Sequence, residues 1–192
     1  VEFSLSGGRL NTDFIDNAGG VDCSDHEVNI KILLNEVVAN GDLTEKQRNK
    51  MLSDMTDDVA ELVLKNNYRQ TQAISIACTD SLSRVEEYRR LINSMESADK
   101  LNRELEFIPD DDTIAERKAL GQGLSRPELS VLISYVKGDL KELITNSELP
   151  DDKCLSDEIE LVFPGKLVKK FGKEVHNHKL RREIIATQIA ND

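Results

Sequence analysis

Tryptophan is missing from this chain of 192 residues, and aromatic residues together make up only 4% of it. Any core must therefore be packed with Leu, Ile and Val. Proline and glycine are sparse, at 4 and 10 residues, too few turn formers for a sandwich or barrel of many short strands. The 3 cysteines, Cys23, Cys78 and Cys154, lie far apart. Without a CxxC pair, neither a disulfide framework nor a zinc module is indicated. Cationic excess is missing too. The net charge is −11, which speaks against a nucleic-acid partner. No apolar run approaches the roughly 18 residues of a membrane span, and no signal peptide is seen. No membrane partner is expected, and the cytoplasm is the expected compartment.

What the chain does contain is helical patterning. The expected fold is mainly α: a helical domain with a short α/β remnant of one or two strands at its N-terminus. Strand character is read in "VEFSL", where Val1, Phe3 and Leu5 alternate before a Gly7-Gly8 turn. "RLNTDFID" is a second short strand candidate. From about Asp25 the period becomes helical, through Val28, Ile32, Leu33, Val37 and Val38, to a stop at Asn40-Gly41. Thr44 and Gln47 form a capping box. Thr56 is expected to cap a helix carrying Val59, Leu62 and Val63, with separate helices expected in "YRQTQAISIA" and "SLSRVEEYRRLINSMES". Pro109 breaks the chain, and Asp110 to Asp112 open a helix that ends at Gly121 and Gly123. Ser125, Pro127 and Glu128 then start the most periodic segment, Leu129, Leu132, Ile133, Val136, Leu140 and Leu143. Shorter helices are expected around 156–162, 165–176 and 179–190.

The densest chemistry sits in "DNAGGVDCSDHE", residues 16–27. A calcium loop fails there, because Ala18 and Gly20 stand where side-chain oxygens are needed and Val21 where the sharp turn needs Gly. A transition-metal site from Asp22, Cys23, Asp25, His26 and Glu27 lacks ligand spacing, and no metal is expected. A Cys23–His26 nucleophile competes with the ordinary role of a lone cysteine as a small hydrophobe. His176 and His178, two apart, face different sides of a helix and read as solvated or core-edge residues. "GQGLSR" lacks the third glycine of a dinucleotide turn and follows a helix rather than a strand. The basic stretch 164–183 has seven Lys/Arg, preceded by six acids in 148–160, so mutual neutralisation is the simpler account of both.

Two readings of residues 16–27 then stay open. In one, Gly19 and Gly20 bend the backbone and Ser24 stands at a helix mouth, where free N–H groups favour a carboxylate. In the other, Ser24 with Glu27, or Asp22 with Asp25, simply caps the helix.

"NAGGVDCS" resembles the Asn-Ala-Gly-Gly-Val-x-x-Ser segment of glutamate dehydrogenases. The longer run "RLNTDFIDNAGGVDCSDHEVNIKILL" is similar to their large, NAD-specific bacterial type. So are "LKNNYRQTQAIS", "LEFIPDDDTIAERKALGQGLSRPELSVLISY" and "HKLRREIIATQIAND", in the same order, so that the resemblance covers essentially the whole chain. It implies the reversible deamination of L-glutamate to 2-oxoglutarate and ammonium, with hydride passing to NAD. It further implies that Asn17, Gly19 and Gly20 serve the cofactor and that Val21 and Ser24 line the glutamate side-chain pocket. The family's catalytic Lys and Asp and its pyrophosphate turn precede this segment, so no catalytic residue is expected here. The chain alone is expected to be an inactive fragment, with residues 1–41 the end of the dinucleotide-binding, catalytic domain and 42–192 a helical C-terminal domain. Its expected partners are the remaining catalytic domains, within a homo-oligomer. The alternative is a non-catalytic helical module for regulation or assembly.

Overall fold

The computed structural model describes residues 1–191. Its helices are α1 (Glu2–Leu5), α2 (Asp13–Asp16), α3 (Ala18–Ala39), α4 (Glu45–Asp54), α5 (Thr56–Asp80), α6 (Val85–Ser97), α7 (Asp111–Ala119), α8 (Arg126–Thr145), α9 (Gly165–His176) and α10 (Arg181–Asn191). Two 3-10 segments, Leu149–Asp151 and Lys153–Val162, lie between α8 and α9. The mainly α expectation holds.

The strand remnant does not. Among the described residues there is no strand, and residues 2–5 form a helical turn in which Leu5 N–H donates to the Val1 carbonyl at 2.9 Å. A lone strand leaves every backbone N–H and C=O without a ladder partner, whereas a helical turn satisfies them locally. The second strand candidate likewise gives way to α2.

Two compact units are present. One comprises Val1–Asp16 and Arg69–Lys137, the other Asn17–Tyr68 and the chain from Gly138 on. The first packs Val85, Ile92 and Met95 of α6 against Ile114 of α7 and Leu129 and Leu132 of α8. The second is built on Ile30, Leu33, Leu34 and Val37 of α3, with Ile159, Leu167, Phe171, Val175 and Ile185. These are Leu, Ile and Val cores with two phenylalanines, as the aromatic-poor composition demands.

Caps account for several helix starts. Thr44 Oγ1 accepts from Gln47 N–H at 3.3 Å, and Gln47 Oε1 accepts from Thr44 N–H at 2.9 Å, completing the capping box of α4. Asp110 Oδ1 accepts from Thr113 N–H at 2.8 Å at the start of α7. Thr56 is a correction: it lies inside the helix and its hydroxyl donates back to the Ser53 carbonyl. The helix it begins runs unbroken to Asp80, because no Gly or Pro interrupts residues 56–80 and the two expected helices merge.

Candidate functional site

Gly19-Gly20 form no turn, and Ser24 does not stand at a helix mouth. α3 starts at Ala18, six residues before Ser24, with Asn17 at the N-cap position and its side chain making no cap hydrogen bond. Gly19 and Gly20 are therefore helical. Ser24 lies in the second turn, and its hydroxyl donates to the Val21 carbonyl at 2.8 Å. The Ser24–Glu27 capping box is absent, and Glu27 pairs instead with Lys31 one turn on. Both the helix-mouth placement and the simple cap are corrected by this earlier start. A helix that begins at Ala18 satisfies the N–H groups of Ser24 and its neighbours internally.

The helical period sorts the segment into two faces. Asn17, Gly20, Val21, Ser24 and Val28 are exposed, Val21 at 66% and Val28 at 52%. Asn17, Val21, Ser24 and Val28 follow each other at steps of four, three and four, and with Gly20 beside Val21 they form one outward stripe. A side chain at Gly20 would meet nothing within 4 Å, so this face is open. At Gly19 a Cβ would touch Val63 Cγ1 at 3.9 Å, which places Gly19 on the α5 side rather than with the others. Four of the five residues that the resemblance assigns to cofactor and substrate thus share one surface of one helix.

The opposite face carries what the sequence did not disclose. His26 is 4% exposed. Its Nδ1–H donates to the Val162 carbonyl at 2.8 Å, leaving Nε2 as an acceptor for Asn66 Nδ2–H at 3.3 Å. The same amide donates to the Asp22 carboxylate at 3.1 and 3.2 Å. Asp22 and His26 are thus joined through one amide, on the side of α3 that faces α5. Cys23 is exposed on α3 while His26 faces inward. His178 is buried as well. Its Nε2–H donates to the Asn29 carbonyl at 3.1 Å and its Nδ1 accepts from Leu180 N–H at 3.1 Å. Burial pulls its pKa below the ordinary imidazole value. His176, partly exposed, lies 2.8 Å from Glu160, with Asp157 nearby, on the surface.

In the other unit, Arg126 of α8 donates to Ser75 Oγ at 2.9 Å, to the Thr71 carbonyl at 3.2 Å and to Asn11 Oδ1. Asn11 in turn donates to Asp16 Oδ1 at 2.6 Å. Three of the guanidinium's five N–H donors are thus engaged within its own unit.

With this geometry in place, the comparisons fix the class. Residues 1–77 match the family model of the bacterial NAD-glutamate dehydrogenase catalytic domain, and residues 121–192 match that of the glutamate dehydrogenase C-terminal region. The chain belongs to the bacterial NAD-glutamate dehydrogenase family. Among its relatives, the NAD-specific glutamate dehydrogenase of Pseudomonas aeruginosa is 61% identical, that of Halomonas elongata 55% and that of Mycobacterium tuberculosis 43%. Each alignment covers 100% of this chain but 12% of the relative, so the chain spans about one eighth of their length.

Proposed function

We propose that this chain is a segment of an NAD-dependent glutamate dehydrogenase, which oxidises L-glutamate with NAD and water to 2-oxoglutarate, ammonium and NADH. Val21 and Ser24 contact the glutamate side chain, and Asn17 and Gly20 serve the nicotinamide end of the cofactor, whereas Gly19 faces α5 instead. The observation that carries this reading is the exposed stripe Asn17, Gly20, Val21 and Ser24 on α3. Amide, bare backbone, methyl groups and hydroxyl are presented there together, a set that suits an amphiphilic dicarboxylate beside a flat ring.

NAD fits these residues at one end only. The open space over Gly20 and the amide of Asn17, which caps nothing, suit a ring edge. No residue of the stripe is a cation for the pyrophosphate. NAD supplies the hydride acceptor. This chain's own part is to orient: Val21 packs the substrate methylenes, and Ser24 exchanges its bond to the Val21 carbonyl for one to the distal carboxylate. The catalytic Lys and Asp belong to other parts of the enzyme, and the isolated chain is inactive. Residues 1–41 close the dinucleotide-binding, catalytic domain and 42–192 form the helical C-terminal domain of a cytoplasmic homo-oligomer. A second reading, a helical module for assembly or regulation, is compatible with the first. It is favoured by Leu105, Phe107 and Leu120, which are 71%, 78% and 75% exposed.

The test is Ser24→Ala in the full-length enzyme. KM for glutamate should rise about tenfold, the scale of one hydrogen bond to a charged group, with KM for NAD little changed. Unchanged glutamate KM would overturn the assignment.

A further inference from the structure

The first half of α3 has an unusual anchorage. Between Ala18 and Asn29 no apolar side chain is buried, and His26 is the only buried residue. The first apolar anchor is Ile30, which starts the run Ile30, Leu33, Leu34 and Val37 in the core. Two glycines, Gly19 and Gly20, weaken the opening turn by about 1 kcal/mol each relative to Ala. Helices of globular proteins are ordinarily held by an apolar stripe. Here, three turns that carry the proposed ligand face have none.

What holds them is polar. Asn66 of α5 donates to both Asp22 and His26, one turn apart on α3. His26 passes through to the Val162 carbonyl at the end of the second 3-10 segment. The helix is thus tied to two other elements by directional bonds at two successive turns. Directional bonds at two turns set the rotation of this half about the helix axis, around which each residue's step is about 100°. A small turn of α3 would carry Val21 and Ser24 off their targets.

We infer that Asp22, His26 and Asn66 are positioning residues for the glutamate-binding face of α3, touching no substrate themselves and setting the angle at which Val21 and Ser24 are presented. This inference rests on the proposed roles of Val21 and Ser24. The sign of the His26 contribution follows from its tautomer. With Nδ1–H committed to Val162, Nε2 of the neutral imidazole is the acceptor, and Asn66 is the donor placed to supply it. Asn66 has two amide hydrogens, one for the imidazole and one shared between the carboxylate oxygens. A residue without a donor at 66 abandons both partners at once.

The experiment compares Asn66→Leu, Asp22→Leu and Asp22→Asn in the full-length enzyme with Ser24→Ala. Asn66→Leu removes the donor at similar volume. Asp22→Asn retains a carbonyl oxygen for the bond. Asn66→Leu and Asp22→Leu should each raise KM for glutamate by about tenfold while kcat falls much less, and Asp22→Asn should recover most of the loss. Amide exchange should quicken at residues 18–26 and stay slow at 30–37. If Ser24→Ala raises the glutamate KM and neither leucine variant does, the positioning inference is overturned and the pocket assignment stands. If Ser24→Ala has no effect, the pocket assignment itself falls. A uniform fall in kcat and thermal stability, with glutamate KM unchanged and no recovery in Asp22→Asn, would also overturn the inference, since it marks a merely structural network. Should Asn66→Leu fail to assemble, the two Asp22 variants decide alone.

Discussion

Arg117 Nη1 lies 2.9 Å from each carboxylate oxygen of Glu128, whose side chain is 1% exposed. Glu128 Oε2 also accepts the Ser125 N–H at 2.7 Å. One buried carboxylate therefore serves both as the return half of a helix cap and as the partner of an arginine on the preceding helix. Ser125 Oγ, the hydroxyl that would complete a reciprocal box, has no partner. Removing Arg117 would leave Glu128 charged, buried and unpaired. Arg117→Ala is expected to cost about 3 kcal/mol, the scale for breaking a buried pair. In urea, Arg117→Ala with Glu128→Gln should recover part of that cost, and equal losses in the single and double variants would show that the pair is not what stabilises this helix start.

Gly123 is required by space. A Cβ there would stand 2.6 Å from Leu82 N and from the Ser81 carbonyl carbon, both backbone atoms. Gly121, by contrast, has φ +74 and open surroundings. Gly123→Ala is expected to cost about 3 kcal/mol through overpacking, and Gly121→Ala about 1 kcal/mol through left-handed strain alone. Thermal denaturation of the two variants should rank them in that order. The reverse order would mean that the 120–124 link moves aside cheaply.

His178 makes stability depend on pH. Burial lowers its folded-state pKa, and its Nδ1 is already an acceptor for Leu180 N–H. In the unfolded chain the imidazole protonates at its ordinary value, so the unfolded state binds more protons in the window between the two pKa values. Stability from this site is fully present above the ordinary imidazole value and is lost as pH falls from there towards the folded pKa. His178→Gln should flatten the dependence of Tm on pH in this acidic window. An unaltered slope would assign that dependence to other groups.

The thermal cost of Thr44→Ala should be about 1 kcal/mol, the scale for losing an N-cap of this kind. Chemical denaturation should register it in the unit that contains α4, and no change would mean that Gln47 alone satisfies this helix start.

Helix identity was legible wherever a local signal acted alone. The Thr44–Gln47 box, the Asp110 start and the α9 limits needed only neighbours in sequence. The start of α3 was misplaced because Gly19-Gly20 reads as a turn, and the bonds that outweigh it come from Asn66, some forty residues away. The division at Thr56–Asp80 was misread because a polar stretch around Asn66 and Asn67 looks like a break, yet Asn66 is polar in order to bond α3. The strand expectation failed for want of a pairing partner. Asn17, Val21 and Ser24 could be named from the motif, but their common outward face depended on where the helix began. His26 and Asp22 stood out as titratable residues, while their inward orientation could not be read without that same boundary.

The two halves of α3 are consequently open to separate selection. From Ile30 to Val37 each inward position is constrained by core volume, and substitutions there alter the packing of α9 and α10. From Asn17 to Val28 the outward positions touch nothing that the core requires, so their chemistry can change without a matching change inside. A single continuous helix in this way joins a core-bound half to an outward surface whose residues can be exchanged without a new fold to support them.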